Sequence, residues 1–201
     1  MDKVFVTELP APPVDIREIL RYAGIRENSE EYGTVISELL KECENLLSYK
    51  VCAVKIEATE QSLLSSGFTG EELSILLNHF SDCAYIVFFA ATVGAEIERL
   101  FAKYRILSPS RALLLSAIGT ERVEALCDSF CEKLKVSLGK DGLLLKERRS
   151  PGYKPFPLEM QRSFFSLLDC QRKIGISLGE SLLMSPTKSV TAMIGAYKPN
   201  P

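Results

Sequence analysis

The sequence predicts an α+β fold, in which a largely antiparallel sheet is flanked by helices and residues 1–201 form a single domain. Strand-like and helix-like segments are mixed without regular β-α-β alternation, and no G-x-G-x-x-G loop is present, which argues against a Rossmann fold. The end of the chain alternates valine and isoleucine with smaller residues, as an antiparallel sheet with one packed face requires. A length of 201 residues and a hydrophobic content of 46% suit one domain with a sizeable core.

The first 25 residues predict an extended, proline-rich lead-in followed by a short helix. Asp15 can cap this helix and Gly24 can end it, because a short acidic side chain and a glycine satisfy the two helix ends. A second helix is predicted over residues 29–47, where apolar residues recur at helical spacing. Residues 51–58 alternate in the manner of a strand.

The middle of the chain predicts another helix, a buried strand and a further helix. Thr69 and Glu72 fit a capping box, so a helix is expected to follow them. Residues 84–91 are a short, continuous apolar run, which is typical of a strand buried on both faces. The next helix is expected to end near Tyr104.

The longest helix is predicted to begin at Ser108-Pro109, with serine as the cap and proline at the first helical position, and to run to about Val136. Residues 139–142, which begin and end with glycine, break it. Its buried stripe, at spacings of three and four, consists of Leu115, Gly119, Val123, Leu126, Phe130 and Leu134.

The last third of the chain predicts three strands and one helix. Residues 143–146 are expected to form a short strand that leads into the next turn. Pro157 can open a helix. Two further strands are expected at residues 174–184 and 189–197, joined across residues 185–187.

Composition narrows the class of function. A net charge of -2 with interspersed signs gives no electrostatic case for binding nucleic acid or an anionic membrane. The longest apolar run, residues 84–95, is too short to span a bilayer, and the first residues do not resemble a signal peptide, so a cytoplasmic location is expected. The six cysteines are then interpreted as reduced thiols. Cys127 and Cys131 are four residues apart, but without a second pair or a nearby histidine they predict packing rather than a metal site.

A turn between Arg148 and Tyr153 carries the residues with the most demanding chemistry. Pro151-Gly152 is a strong turn signal, since proline presets φ and glycine accepts positive φ. Arginine makes forked hydrogen bonds to carboxylates, glycine lets a ligand approach the backbone, and tyrosine offers a flat apolar face with one polar tip. The turn therefore predicts a small ligand that carries a carboxylate; the alternative is a surface turn with solvated arginines.

Two further sequence motifs lie downstream of this turn. Residues 180–186 read E-S-L-L-M-S-P, and residues 189–195 read S-V-T-A-M-I-G. With the R-x-x-x-G-Y turn, they resemble the activation domain of cobalamin-dependent methionine synthase, most of all its short, stand-alone members. The resemblance is dense over residues 115–195 and looser over residues 12–22. It implies a twisted sheet with the ligand in a shallow groove.

The resemblance also implies site residues for S-adenosylmethionine and no metal ligands. Arg148 matches the arginine that clamps the carboxylate, and Glu124, on the long helix, matches the partner of the ammonium. Backbone groups of Ser150, Pro151, Gly152 and Tyr153 are expected to hold polar atoms of the ligand, and the Tyr153 ring is expected to position the methyl donor. The acidic residue that the family carries near its N-terminus falls here at Ala23-Gly24; Asp15 or Glu18 are the candidates to replace it.

The function that the resemblance implies is reactivation by reductive methylation in methionine biosynthesis. The module would hold S-adenosylmethionine for methyl transfer to cob(II)alamin, the form of vitamin B12 left by oxidation, after a one-electron reduction by a flavodoxin-like donor. Because no cobalamin-binding segment is recognisable, it would act in trans on a methionine synthase or another corrinoid protein that carries the cobalamin. Whether it is an enzyme in its own right stays open: the alternatives are a corrinoid-docking scaffold without S-adenosylmethionine and a free-standing small-molecule methyltransferase.

Overall fold

The computed structural model describes residues 3–26 and 30–199, which form a central sheet with helices on both faces. Five strands lie in the order β1-β2-β3-β7-β4, and every neighbouring pair is antiparallel. Two shorter strands, β5 and β6, pair with each other away from this sheet. The strands are β1 (Phe5–Glu8), β2 (Lys50–Glu57), β3 (Tyr85–Thr92), β4 (Leu144–Leu145), β5 (Ser177–Leu178), β6 (Met184–Ser185) and β7 (Ser189–Tyr197).

Eight α-helices and one 3-10 turn, Leu158–Met160, are found among the described residues. The helices are α1 (Ile16–Tyr22), α2 (Glu30–Cys43), α3 (Glu60–Ser65), α4 (Gly70–His79), α5 (Glu96–Leu107), α6 (Pro109–Gly139), α7 (Gln161–Leu168) and α8 (Cys170–Ile174). The longest, α6, has 31 residues. Within the described part of the chain, no helix has both the length and the apolarity to cross a bilayer.

The sheet is buried on both faces because its central strands alternate apolar side chains to each side. In β3, Ile86 and Phe88 pack towards α3, α4, α7 and α8, whereas Val87 and Phe89 pack towards α6. This is the doubly buried strand that the continuous apolar run predicted. Side chains of α6 that pack on this second face are Val123, Leu126, Cys127, Phe130, Leu134 and Leu138.

The N-terminal half of α6 packs against α1 and α2. Ile19 of α1 and Ile36 of α2 are fully buried against Leu114 and Ile118. Burial on opposite sides therefore holds α6 between the sheet and the α1–α2 pair, and this places α1 beside the middle of α6.

Much of the predicted element order is present. The α+β class, the antiparallel sheet, the proline-started long helix and its buried stripe agree with the structure. Asp15 caps α1 as expected, because its carboxylate accepts the N–H groups of Arg17 and Glu18 at 2.8 and 3.2 Å. The predicted start of the second helix, Ser29, lies outside the described residues.

The capping box at Thr69 is wrong. Thr69 does occupy the N-cap position of α4, but its side chain makes no capping hydrogen bond. Glu72 instead accepts a hydrogen bond from the Ser163 hydroxyl of α7, at 2.6 Å. Gly70, with a φ of +56°, also takes the first turn out of the helical geometry that a capping box needs. Here a tertiary contact replaces the local one.

The predicted strand over residues 174–184 is also wrong. Its first residue ends α8, and only the short β5 and β6 form near it, paired with each other. Gly175 and Leu182 have φ values of +74° and +63°, which interrupt an extended chain. In addition, β7 pairs with β3 and, near its end, with β4, whereas β5 and β6 pair with each other apart from this sheet.

Candidate functional site

A groove of about 470 Å³ lies between the N-terminal residues and the middle of α6, and Arg148 lines it. We call it the Arg148 groove. Five carboxylates and one guanidinium line it, together with apolar and hydroxyl groups. The lining residues are Pro12, Pro13, Asp15, Glu18, Tyr22, Glu121, Glu124, Ala125, Asp128, Ser129 and Arg148.

The backbone after β4 fixes the position of Arg148. The next residue, Arg149, exchanges two hydrogen bonds with Met193 of β7, at 2.9 and 2.8 Å. This bridge extends the sheet edge by one residue pair, so the Arg148 side chain is carried towards α6 by regular β geometry. The alternation of side chains along an extended chain places Arg149 on the other side, where it forms an exposed ion pair with Glu147.

The two residues expected to bind the ends of an amino acid are paired with each other. An Nη2 hydrogen of Arg148 bonds to Oε2 of Glu124 at 2.5 Å, and Oδ1 of Asp128 lies 3.8 Å from the same nitrogen. Glu124 and Asp128 are one turn apart on α6, so both carboxylates face the guanidinium. The arginine side chain is 24% exposed and that of Glu124 is 35% exposed, which places the pair at the wall of the groove.

One nitrogen of Arg148 has no partner. Its Nη1 is shielded from solvent and makes no hydrogen bond within the described structure. Burial favours the neutral form of the guanidinium, but the neighbouring acidic groups, Glu124 among them, outweigh it and keep the pKa of Arg148 raised. A buried charged group with an unused donor carries a free-energy penalty that a ligand oxygen can remove.

The acidic excess of the groove extends to α1. Burial, and beyond it the negative charge of Glu124, raise the pKa of the Tyr22 phenol. Glu18 is held by a hydrogen bond from Arg21, which lowers the pKa of this carboxyl group. Asp15 is occupied as the cap of α1. No carboxylate stands at Ala23-Gly24, but α1 still brings two acids to the groove from other positions.

Two adjacent charged residues of α6, Glu121 and Arg122, lie beneath the N-terminal side of the groove. Both are buried, with relative exposures of 3% and 2%. Sequence analysis did not identify them as site residues. The available signal was the helical stripe: Arg122 lies three residues after Gly119 and four before Leu126, so a charge falls on a buried face.

The turn that follows Arg148 forms a second, separate recess of about 330 Å³, which Gly152 lines together with Leu158 and their neighbours. We call it the Gly152 recess. Gly152 has a φ of +94°, as the turn signal predicted. Hydrogen bonds inside the turn occupy the N–H groups of Gly152 and Tyr153, with the carbonyls of Phe156 and Ser150 as acceptors, at 2.9 and 3.3 Å.

The predicted site residues are therefore distributed over two neighbouring features. Arg148 and Glu124 share the Arg148 groove. Pro151 is buried, whereas Gly152 is exposed and Tyr153 is 73% exposed. The turn is thus a preformed, hydrogen-bonded platform that presents one aromatic ring to the outside.

The thiols beside Arg148 do not form a metal centre among the described residues. Cys127 is fully buried and Cys131 is half-buried on the face of α6 that packs on the sheet. Burial raises the pKa of the Cys131 thiol to about 11. The described part of the chain contains no group of three histidine, cysteine or acidic residues arranged to hold a metal ion. The chemistry available in the groove is charge recognition.

An antiparallel sheet covered by helices on both faces, with an acidic groove that contains one arginine beside the long helix, defines a protein of the α+β class with a candidate ligand site. Residues 75–200 match the family model "Vitamin B12 dependent methionine synthase, activation domain". The match spans more than half of the chain, and the chain belongs to this family.

A solved structure shows the same fold over nearly the whole chain. It is the crystal structure of the MetH reactivation domain bound to AdoHcy, with a TM-score of 0.64 and 15% sequence identity, and the match covers 99% of this chain and 80% of that one. A comparison with curated proteins gave no significant match. The structural match agrees with the α+β class and with the resemblance found in the sequence.

Proposed function

We propose that this chain binds S-adenosylmethionine in the Arg148 groove and reactivates a corrinoid protein in trans by presenting the methyl donor to its cobalamin. The family match and the AdoHcy bound to the structurally similar MetH domain support the ligand class. The observation that carries the proposal for this chain is the pairing of Arg148: one of its nitrogens is held by Glu124, and another is buried without a partner.

The charges of the groove fit the charges of this ligand. An α-carboxylate accepts hydrogen bonds from a guanidinium, and the unused Nη1 of Arg148 is the donor that we propose for it. Among the described residues, Glu124 is hydrogen-bonded through Oε2 and no hydrogen bond to Oε1 is found, so Oε1 is the proposed acceptor for an ammonium. The surplus of carboxylates suits the two positive charges, ammonium and sulfonium.

The role of the protein in this proposal is to bind and orient. A partner that carries cobalamin supplies the cobalt nucleophile, and a flavodoxin-like donor supplies the electron. The chain contributes a groove that holds the amino-acid end of the donor and an exposed ring, Tyr153, on the adjoining turn. Holding two reactants in a productive geometry is a sufficient source of acceleration, so acid–base residues are not required.

The direct test has two stages. Calorimetric titration of the isolated chain with S-adenosylmethionine is expected to show one binding site, and incubation without a corrinoid is expected to leave the ligand unconsumed. Addition of a cob(II)alamin-loaded methionine synthase that lacks its own activation domain, with a reductant, is expected to yield methylcobalamin, followed by absorbance. Turnover by the chain alone would favour the free-standing methyltransferase, and the absence of binding would favour the scaffold.

Tyr153 provides a matched control for the second stage. Removal of the ring in Tyr153→Ala is expected to slow methyl transfer more than it weakens ligand binding, because the exposed ring orients the donor against the cobalt. Tyr153→Phe keeps the ring and is expected to behave like the parent protein. A loss of binding in Tyr153→Ala as large as its loss of rate would contradict this role.

A further inference from the structure

Arg122 has no part in ligand binding as proposed above, yet the contacts that it makes together with the groove-lining Glu121 are extensive. Nε of Arg122 bonds to Oε2 of Glu121 at 2.5 Å, and Nη2 bonds to Oε1 at 2.6 Å. This is a forked ion pair between adjacent residues of one helix. Buried charges persist in proteins only when they are paired and hydrogen-bonded, and this pair satisfies both conditions.

Apart from an interaction of Arg122 with the Tyr49 phenol, the other hydrogen bonds found for the pair among the described residues go to the N-terminal residues. Nη1 of Arg122 donates to the carbonyl of Pro12 at 2.6 Å, and Nη2 donates to the carbonyl of Pro13 at 2.7 Å. Oε1 of Glu121 accepts the N–H of Asp15 at 3.0 Å. Three successive contacts therefore tie one turn of α6 to the segment between β1 and α1.

This segment has few other means of being held. Prolines have no N–H, so Pro12 and Pro13 cannot take part in a ladder as donors, and their carbonyls need donors from elsewhere. Pro12, Pro13 and Asp15 all line the Arg148 groove. We call residues 12–15 the N-terminal wall. On α6, the residue three positions after Glu121 is Glu124, so the anchor and the ligand-facing carboxylate belong to the same stretch of helix.

We propose that Arg122, oriented by Glu121, is a positioning residue that fixes the N-terminal wall and thereby the shape of the Arg148 groove; this rests on the function proposed above. Arg122 does not line the groove, so it acts through the wall. If it served stability alone, ligand affinity would follow the general loss of stability in any variant. If it positions the wall, affinity falls more than stability does.

A single tryptophan can report on the wall directly. The chain contains no tryptophan, and Val14 is an exposed residue in the middle of the wall, so Val14→Trp supplies a unique fluorophore in the parent protein. Three variants are made in this parent. Arg122→Met removes every donor, Arg122→Lys keeps the charge, and Leu138→Ala opens a cavity in the core at the far end of α6 without touching the wall.

The thermal unfolding midpoint is measured for each protein. Steady-state anisotropy and the affinity for S-adenosylmethionine are then measured at a temperature well below all of these midpoints. Arg122→Met is expected to lower the anisotropy of Trp emission and to weaken binding by about tenfold or more. Leu138→Ala is expected to lower the unfolding midpoint, while its affinity stays within about twofold of that of the parent and its anisotropy is unchanged. The reason is that displacement of the N-terminal wall, and not a general loss of stability, is what weakens binding.

The lysine variant separates positioning from stabilisation. An ammonium can pair with Glu121 but cannot also span both proline carbonyls, because it lacks the planar fork of a guanidinium. Arg122→Lys is therefore expected to recover most of the unfolding midpoint lost in Arg122→Met and little of the affinity. If Arg122→Met does not fold, Arg122→Gln, which keeps a polar group but loses the charge and the planar fork, takes its place.

Two results overturn the inference. One is unchanged anisotropy and affinity in both Arg122→Met and Arg122→Lys. The other is a fall in affinity in Leu138→Ala that matches the fall in Arg122→Met at equal loss of stability. If the parent does not bind S-adenosylmethionine at all, the function proposed above fails, while the anisotropy comparison still decides whether Arg122 holds the wall.

Discussion

The adjacent residues Arg148 and Arg149 differ in burial and in their ion-pair partners, because their side chains lie on opposite sides of the extended backbone. Arg148 lies in the groove against Glu124, whereas Arg149 pairs with Glu147 on the surface. Neighbouring positions in sequence thus provide a test residue and its control with the same chemistry.

Arg148→Ala is expected to weaken binding of S-adenosylmethionine by about 1.5–3 kcal/mol, the range for hydrogen bonds to charged groups. Arg149→Ala is expected to change binding little, because its side chain is exposed and paired outside the groove. Titration calorimetry of the two variants against the unmodified chain makes the comparison. Equal losses at both positions, or none at either, would contradict the assignment of the carboxylate clamp.

Gly152 is a second position where one residue decides the geometry. An alanine there would have to adopt a φ of +94°, and its Cβ would lie 3.3 Å from Cδ1 of Leu158. Gly152→Ala is expected to lower the free energy of unfolding by about 1–2 kcal/mol through backbone strain and to weaken ligand binding as well. Urea unfolding and titration measure the two effects.

The control for Gly152 is Gly139→Ala, at the end of α6, where φ is not positive and the added carbon meets no described atom within 4 Å apart from the adjacent helical backbone. It is expected to leave binding unchanged. A Gly152→Ala variant with full affinity would show that the turn does not contribute to the ligand site.

At the scale of elements, the close approach of the end of α4 to β7 depends on one glycine. A Cβ at Gly195 would lie 2.6 Å from Cδ1 of Phe80 and 2.6 Å from Sγ of Cys83, both of which are buried. Gly195→Ala is expected to destabilise the fold by about 1–3 kcal/mol, because an overpacked core must shift. Chemical unfolding of this variant provides the measurement.

Gly33, in α2, offers the matched comparison for this element-scale prediction. An added Cβ there meets nothing within 4 Å, so Gly33→Ala is expected to stabilise the protein by up to about 1 kcal/mol through helix propensity. If Gly195→Ala and Gly33→Ala change stability in the same direction, the tight contact between α4 and β7 is not the reason for glycine in β7.

Over the whole molecule, buried thiols link stability to pH. Burial raises the pKa of the Cys43 thiol from 9.0 to about 11, with the Glu42 carboxylate as a smaller cause. Below pH 9 both folded and unfolded chains hold this proton, and its stabilising effect is fully present. As pH rises from 9 to 11, the unfolded chain loses the proton first, so stability falls with pH.

Cys43→Ala isolates this contribution. Unfolding in urea under reducing conditions is measured between pH 8 and pH 11 for the variant and the unmodified chain. The variant is expected to be less stable at pH 8, because a core side chain is truncated. Above pH 9 its free energy of unfolding is expected to fall less steeply with pH, and the difference in slope corresponds to at most one bound proton. Parallel pH profiles would contradict the linkage to this thiol.

The sequence by itself determined those features that depend on local periodicity and local turn chemistry. The stripe of α6, the continuous apolar run of β3, the cap at Asp15 and the positive φ of Gly152 follow from residues within a few positions of each other. Such signals survive folding because burial of an apolar face and the conformational freedom of glycine act on short segments.

Tertiary structure alone decided which polar groups meet. The pairing of Arg148 with Glu124 spans 24 residues, and the contact between Arg122 and the carbonyl of Pro12 spans 110. The same long-range competition took Glu72 away from its predicted capping box, since Glu72 accepts a hydrogen bond from Ser163. A buried polar group forms a hydrogen bond with whichever partner the packed helices and strands bring within reach. No local sequence pattern contains that information.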